Sequence, residues 1–187
     1  MNFYQKLSAA SITLLLVMIL FCVAPARARN LQHGRDHLTD QEADLVRDAQ
    51  ALDLRMDVFI KAADRRVLRL TKPNTLTPKQ QQQETETLGE LTGTRLDLLS
   101  DVAGILDEAI TNIDDAAGHT GNAVKAKLLP KAMHKLAEAS KRFITALEPL
   151  RDQLQGQERE MLEQALENAQ SIIQAETKLP STTQSSH

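Results

Sequence analysis

The stretch MDVFIKAADRRVLRL (residues 56–70) sets Lys61, Arg65, Arg66 and Arg69 among apolar residues. The fold turns on whether those cations face water or the interior. Around them Leu45, Ala49, Leu52, Met56, Phe59, Ala63, Val67 and Leu70 recur at steps of three and four, which places them on one face of a helix. Upstream, TDQE (39–42) matches the capping box, with Thr39 accepting from the amide of Glu42 while the Glu42 side chain returns to the Thr39 amide. Pro73 ends the pattern, so the sequence predicts one uninterrupted helix of about 33 residues and about 50 Å. Its acids, Asp40, Glu42, Asp44, Asp48 and Asp53, fill the first half and its cations the last turns, an order that complements the helix dipole. A helix lying on a membrane needs a mostly cationic polar face, and Asp57 and Asp64 interrupt this one. The expectation is a core helix that keeps its cations in solvent, with Asp57 and Lys61 pairing at the surface.

Three further helices follow. TKPNTLTP (71–78) reads as a connector, with Thr77 as N-cap and Pro78 at the first helical position, where its missing amide proton costs nothing. The second helix runs from Pro78, or from Glu84 if the glutamine tract frays, to about Ala117, with Leu88, Leu91, Leu98, Val102, Ile105, Ala109 and Ile113 inward. Gly89, Gly93 and Gly104 weaken it by about 1 kcal/mol each relative to Ala. After the turn GHTG (118–121), Leu129, Met133, Leu136, Ser140, Phe143, Leu147, Leu150 and Leu154 alternate in steps of four and three, a heptad seam. Pro130 marks a start and Pro149 a kink or stop. Gly156 separates a fourth helix with Leu162, Leu166, Ala169 and Ile173 inward. No segment alternates like a strand. The fold class expected is all-α, an antiparallel up-down four-helix bundle or a long helical hairpin with coiled-coil-like packing that dimerises through the same stripes.

The N-terminus carries a different signal. Lys6, the apolar run ITLLLVMILFCV (12–23) and APARA (24–28) follow the layout of an export signal, cleaved after Ala26 or Ala28. An uncleaved anchor is the competing reading, but about 12 strongly apolar residues fall short of the ~20 that a span needs. Phe21 before Cys22 does not suit lipidation. The expected organisation is a signal peptide (1–28), a flexible arm (29–38), a helical domain (39–178) and a disordered tail (179–187), in the periplasm or secreted. Membrane contact is expected only during export or if the signal is retained.

Cys22 is the single cysteine, so the exported chain has none for disulfides or ligation. Loss of Lys6 and Arg27 from 22 basic against 25 acidic residues moves the net charge from −3 to about −5, which disfavours polyanions. A second basic region, Lys125, Lys127, Lys131, Lys135, Lys141 and Arg142, contains Glu138 as its one acid. The acids Asp101, Asp107, Glu108, Asp114 and Asp115 precede the intervening turn, so antiparallel neighbours would bring the two blocks face to face, each exposed pair worth ~0–1 kcal/mol. The same cations are the candidate interaction face of an anionic-surface or ligand-binding alternative. Nucleic acid suits the missing aromatics and the net charge poorly.

Catalytic, cofactor and metal sites are not expected. His33 and His37 precede the helix that would align them, and no Glu has a His three residues later, as di-iron bundles require. His134 and Glu138, four apart, fall off the seam. Ser100 and Ser140 lack a Gly-x-Ser-x-Gly elbow, and Asp97/Asp101 and Asp114/Asp115 read as solvated faces.

The run LTDQEADLVRDAQALDLRMDVFIKAADRRVL (38–68), with NIDDAA (112–117) and LLPKAMHKLAEASKRF (128–143), resembles a group of exported bacterial helical proteins to which no activity attaches. The resemblance implies a bacterial, extracytoplasmic, helical protein and transfers no site residue. The functional expectation is a non-enzymatic bundle acting through protein contacts, as an envelope component, adaptor or self-associating module.

Overall fold

The computed structural model describes residues 36–118 and 123–179, with the backbone alone for 123–127, all within the compact unit Asp36–His187. The expected signal with Ala26 and Ala28, most of the expected arm, and residues 180–187 of the expected tail lie outside the described residues. Among the described residues there is no strand, and the all-α expectation holds. The helices are α1 (Asp40–Asp48), α2 (Leu52–Thr71), α3 (Pro78–Leu88), α4 (Arg95–Gly118), α5 (Ala123–Leu147) and α6 (Gly156–Lys178), with a 3₁₀ turn at Glu148–Gln153.

The first expected helix is two. The Thr39 capping box forms as read, Thr39 Oγ1 accepting from the Glu42 amide at 3.1 Å and Glu42 Oε2 from the Thr39 amide at 3.0 Å. The chain then leaves helical geometry at Ala49 (ψ 87°) and Ala51 (ψ 136°). Nothing local demands the break, since DAQAL (48–52) has no Gly or Pro. The cause is tertiary. In a straight helix Glu42 and Arg65 would lie about 35 Å apart, whereas here Glu42 Oε1 accepts from Arg65 Nη1 at 2.6 Å. The Arg55 Nε bond to Ala49 O and the Glu42–Arg65 bond run in opposite senses, so α1 folds back antiparallel along α2.

The second expected helix is also divided, here by local chemistry. Gly89 (φ +79°) caps α3 and Gly93 (φ +120°) follows in the connector, conformations that cost other residues free energy. A Cβ at Gly89 would meet the Gln41 side chain and come within 3.0 Å of Thr39. Gly89→Ala is therefore expected to lower stability by about 1–3 kcal/mol in a denaturant titration, through strain and a displaced α1. Thr94 and Asp97 restart the chain with reciprocal capping bonds of 2.7 and 3.2 Å. Thr77 and Pro78 open α3 as expected. Pro130 lies inside α5 rather than at its start, whereas α5 does stop just before Pro149.

Each of the four long helices packs against two others: α2 against α4 and α5, and α6 against the same pair. Bonds between them give their senses. Pairs Asp53–Lys131, Asp57–Lys135 and Asp64–Arg142 advance together, so α2 and α5 are parallel. Arg95–Glu158 and Ala103–Asn168 advance together on α4 and α6. Arg66–Asp101 and Arg55–Asn112 oppose, so α2 and α4 are antiparallel. Consecutive helices α4 and α5 touch each other less than either touches its other partners.

Burial follows the predicted seams of the later helices closely, whereas Leu45, expected inward at the start of the first stripe, is 36% exposed because the break at 49–51 turns α1 onto a different face. Leu98, Val102, Ile105, Ala109, Ile113, Met133, Leu136, Ser140, Phe143, Leu147, Leu154, Leu162, Leu166 and Ala169 are buried. On α6 the inward residue is Ile172 rather than Ile173, which is half-buried. Leu38 also enters the core and Leu179 packs against it, so the residues of the expected arm and tail that adjoin the domain belong to it.

Candidate functional site

The expectation that the cations of 56–70 stay in solvent fails at two positions. Arg65 is 7% exposed and Arg66 1%, and between them lies Glu42 at 0%. Their helical spacing explains it, because Ala62, Ala63 and Val67 share the buried side of α2 and carry the two guanidiniums inward. Arg66 donates Nη1 to Glu42 Oε1 and to Ala62 O, Nη2 to Glu42 Oε2 and to His37 O, all at 2.7–2.9 Å, and Nε to Asp101 at 3.3 Å. Arg65 donates Nη1 to Glu42 and to Leu88 O, Nη2 to Gly89 O at 2.9 Å, and Nε to Glu84.

This cluster ties α1, α2, the α3 terminus and α4 together. Burial pushes the Glu42 carboxyl up, and its bonds to Arg66, the Thr39 amide and Arg65 outweigh that and hold it below its ordinary value. An ionised Glu42 that already accepts four hydrogen bonds is poorly placed as a base, and all five N–H groups of Arg66 are engaged. Among the described residues every buried side-chain nitrogen and oxygen has a partner. The cluster is a clamp rather than a ligand cradle. Beside it, a polar cleft of about 220 Å³ is bordered by Arg69, Gln81, Glu84, Thr85 and Glu90.

His37 is placed, not mobile. Its ring lies against Gly104, where a Cβ would come within 3.0 Å, and its Nε2 meets Glu108 at 2.7 Å. The Glu108 bond raises the His37 pKa above 6.5, burial opposes, and the charges of Glu108, Asp36 and Asp101 add to the rise. Since the folded pKa is raised, this contribution is fully present below pH 6.5 and is lost as pH rises through the folded value. Stability measured across that window is expected to fall in the wild type and to stay flatter in His37→Gln. His33 lies outside the described residues.

The candidate interaction face is engaged by neighbouring helices. Lys131 reaches Asp53 at 2.6 Å, and Lys135 reaches Asp57 at 2.6 Å, which replaces the expected Asp57–Lys61 pair. Arg142 meets Asp64 at 3.4 Å, and Lys141 meets Glu138 at 2.5 Å and Glu176 at 3.6 Å. The side chains of Lys125 and Lys127 lie outside the described residues. For the described cations, the expected pairing with the acidic block of α4 is corrected: their partners are on α2, α5 and α6, while Asp101 holds Arg66 and Glu108 holds His37. Buried Ala132, Ala137 and Ala139 widen the inward face of α5 beyond its heptad seam, giving it two flanking neighbours.

His134, Glu138 and Glu176 bring ligand atoms within 4.8 Å of one another, a set that suits a divalent cation by type. Lys141 already supplies positive charge to both carboxylates, and His134 bonds Glu176 at 2.6 Å. Ser140 is buried and donates to Leu136 O at 2.8 Å, so its hydroxyl is occupied in the helix. No family model, curated protein or solved structure matches the chain.

Proposed function

We propose that the protein is a non-enzymatic helical bundle acting through protein contacts outside the cytoplasm, in the periplasm or after secretion. The ring of pairings α2–α4–α6–α5, with alternating senses along the chain, supports an up-down four-helix bundle in which α4 and α5 lie diagonally. One observation carries the contact reading. Arg65 and Arg66 of α2 and Lys131, Lys135 and Arg142 of α5 are engaged by the protein's own acids, while Leu54 (54% exposed) and Leu45 (36%) present large apolar side chains to water within ten residues of each other. No described helix is long and apolar enough to cross a membrane.

A photoreactive residue at position 54, irradiated in the producing cell, is expected to give a discrete protein adduct that the same residue at exposed Thr111 does not. Anionic vesicles at low salt are expected not to retain the purified chain. Absence of an adduct at 54, or retention that Lys131→Met and Lys141→Met abolish, contradicts the reading and favours the anionic-surface alternative.

A further inference from the structure

Three side chains with ligand chemistry converge where α5 meets the last turn of α6. His134 and Glu138 stand one turn apart on α5, Glu176 comes from α6, and one ligand atom of each lies within 4.8 Å of the other two. The helices that carry them pack directly on each other, and Ala137 and Ile172, a turn or less away in sequence, are buried in the core. Rigid elements rather than loops therefore hold the set. A cation is already drawn to it. Lys141 places its ammonium 2.5 Å from Glu138 and 3.6 Å from Glu176, while His134 Nδ1 meets Glu176 at 2.6 Å. The Lys141 bond holds the Glu138 carboxyl below its ordinary value of 4.5, so it is an anion at neutral pH.

We propose that His134, Glu138 and Glu176 bind a divalent transition-metal ion of the zinc type, which displaces the Lys141 ammonium and braces the end of α6 against α5. Such an ion brings twice the charge of the ammonium to the same two carboxylates. The imidazole sets the class, since zinc takes mixed nitrogen and carboxylate ligands, whereas magnesium and calcium take oxygen. Tetrahedral ligands about 2.0–2.2 Å from zinc stand about 3.3 Å apart, so the 2.6 Å pair opens while the wider ones close. His134 (67% exposed) and Glu138 (49%) are free enough to make that adjustment by side-chain rotation. His134 gives up its Nδ1 bond to Glu176 and carries its proton on Nε2, which leaves Nδ1 bare for the ion, and water completes the coordination on the open side. The inference goes beyond the contact reading and does not depend on it.

Calorimetric titration of zinc sulfate into the untagged, chelator-treated chain at about pH 7.5 tests it. One ion is expected to bind with a Kd below about 100 µM, and a roughly tenfold excess of magnesium or calcium is expected not to compete. His134→Ala and Glu176→Gln are each expected to weaken binding about tenfold or more, with helicity before zinc unchanged because both positions lie on the helix surface. Lys141→Met removes the competing ammonium and is expected to tighten binding about two- to fivefold. Excess zinc is expected to raise the melting temperature of the wild type by about 3 °C or more and to leave that of His134→Ala unmoved. His33, His37, His119 and His187 offer zinc other imidazoles, so the variants decide. Zinc held with unchanged affinity by either His134→Ala or Glu176→Gln belongs elsewhere and overturns the site. Absence of binding below about 1 mM also overturns it, and a Lys141→Met chain that binds zinc no tighter than the wild type overturns the displacement of the ammonium.

Discussion

Glu42→Ala is expected to destabilise the folded chain by about 3–5 kcal/mol, because it leaves Arg65 and Arg66 buried without their shared carboxylate. That is a large share of the roughly 5–15 kcal/mol that holds a domain of this size, so the urea midpoint should fall sharply. Glu42→Gln keeps the shape and loses the charge, and is expected to cost less. The pH dependence has a definite sign. The folded pKa of Glu42 lies below its ordinary value of 4.5, so its contribution is complete above that value and is lost as pH falls through the folded pKa. Wild type and Glu42→Ala should converge in stability on acidification below pH 4.5 and differ most near neutrality.

Leu136→Asp is expected to abolish cooperative unfolding altogether. Leu136 is fully buried within the core shared by the long helices. An unpaired carboxylate there must either remain charged in an apolar interior or take up a proton, and the combined loss of apolar burial and gain of an unsatisfied polar group exceeds about 4 kcal/mol. Circular dichroism should show lower helicity and a broad, shallow melt. A retained sharp melt near the wild-type temperature would mean that α5 presents a different face inward.

The seams were legible because burial in helices is periodic and the period survives any arrangement of neighbours. Met133, Leu136, Ser140, Phe143 and Leu147 could be placed inside from spacing alone. Which helix lies beside which is not periodic, so the sequence sets the basic block of Lys131 and Lys135 against the acidic block of 101–115 rather than against Asp53 and Asp57 on α2. The break at 49–51 was invisible for a related reason: it is enforced by Glu42 meeting Arg65 and Arg66 some two dozen residues away. The break at 89–94 had a visible signal, since two glycines with positive φ precede a Thr94/Asp97 cap that the spacing T-x-x-D announces. The clamp had a weaker one. Arg65 and Arg66 fall beside Ala62, Ala63 and Val67, and small residues there leave room for a guanidinium to turn inward once a carboxylate is supplied.

A double-mutant cycle between Glu42→Ala and Arg66→Ala, followed by urea unfolding at neutral pH and micromolar concentration, tests the central claim that an inward-turned arginine holds α1 against α2. The account predicts a coupling energy of about 2–3 kcal/mol, with the double variant losing far less than the two single losses combined. Losses that add to within about 0.5 kcal/mol would mean the two side chains do not meet, and would contradict the folded-back α1 and the clamp together.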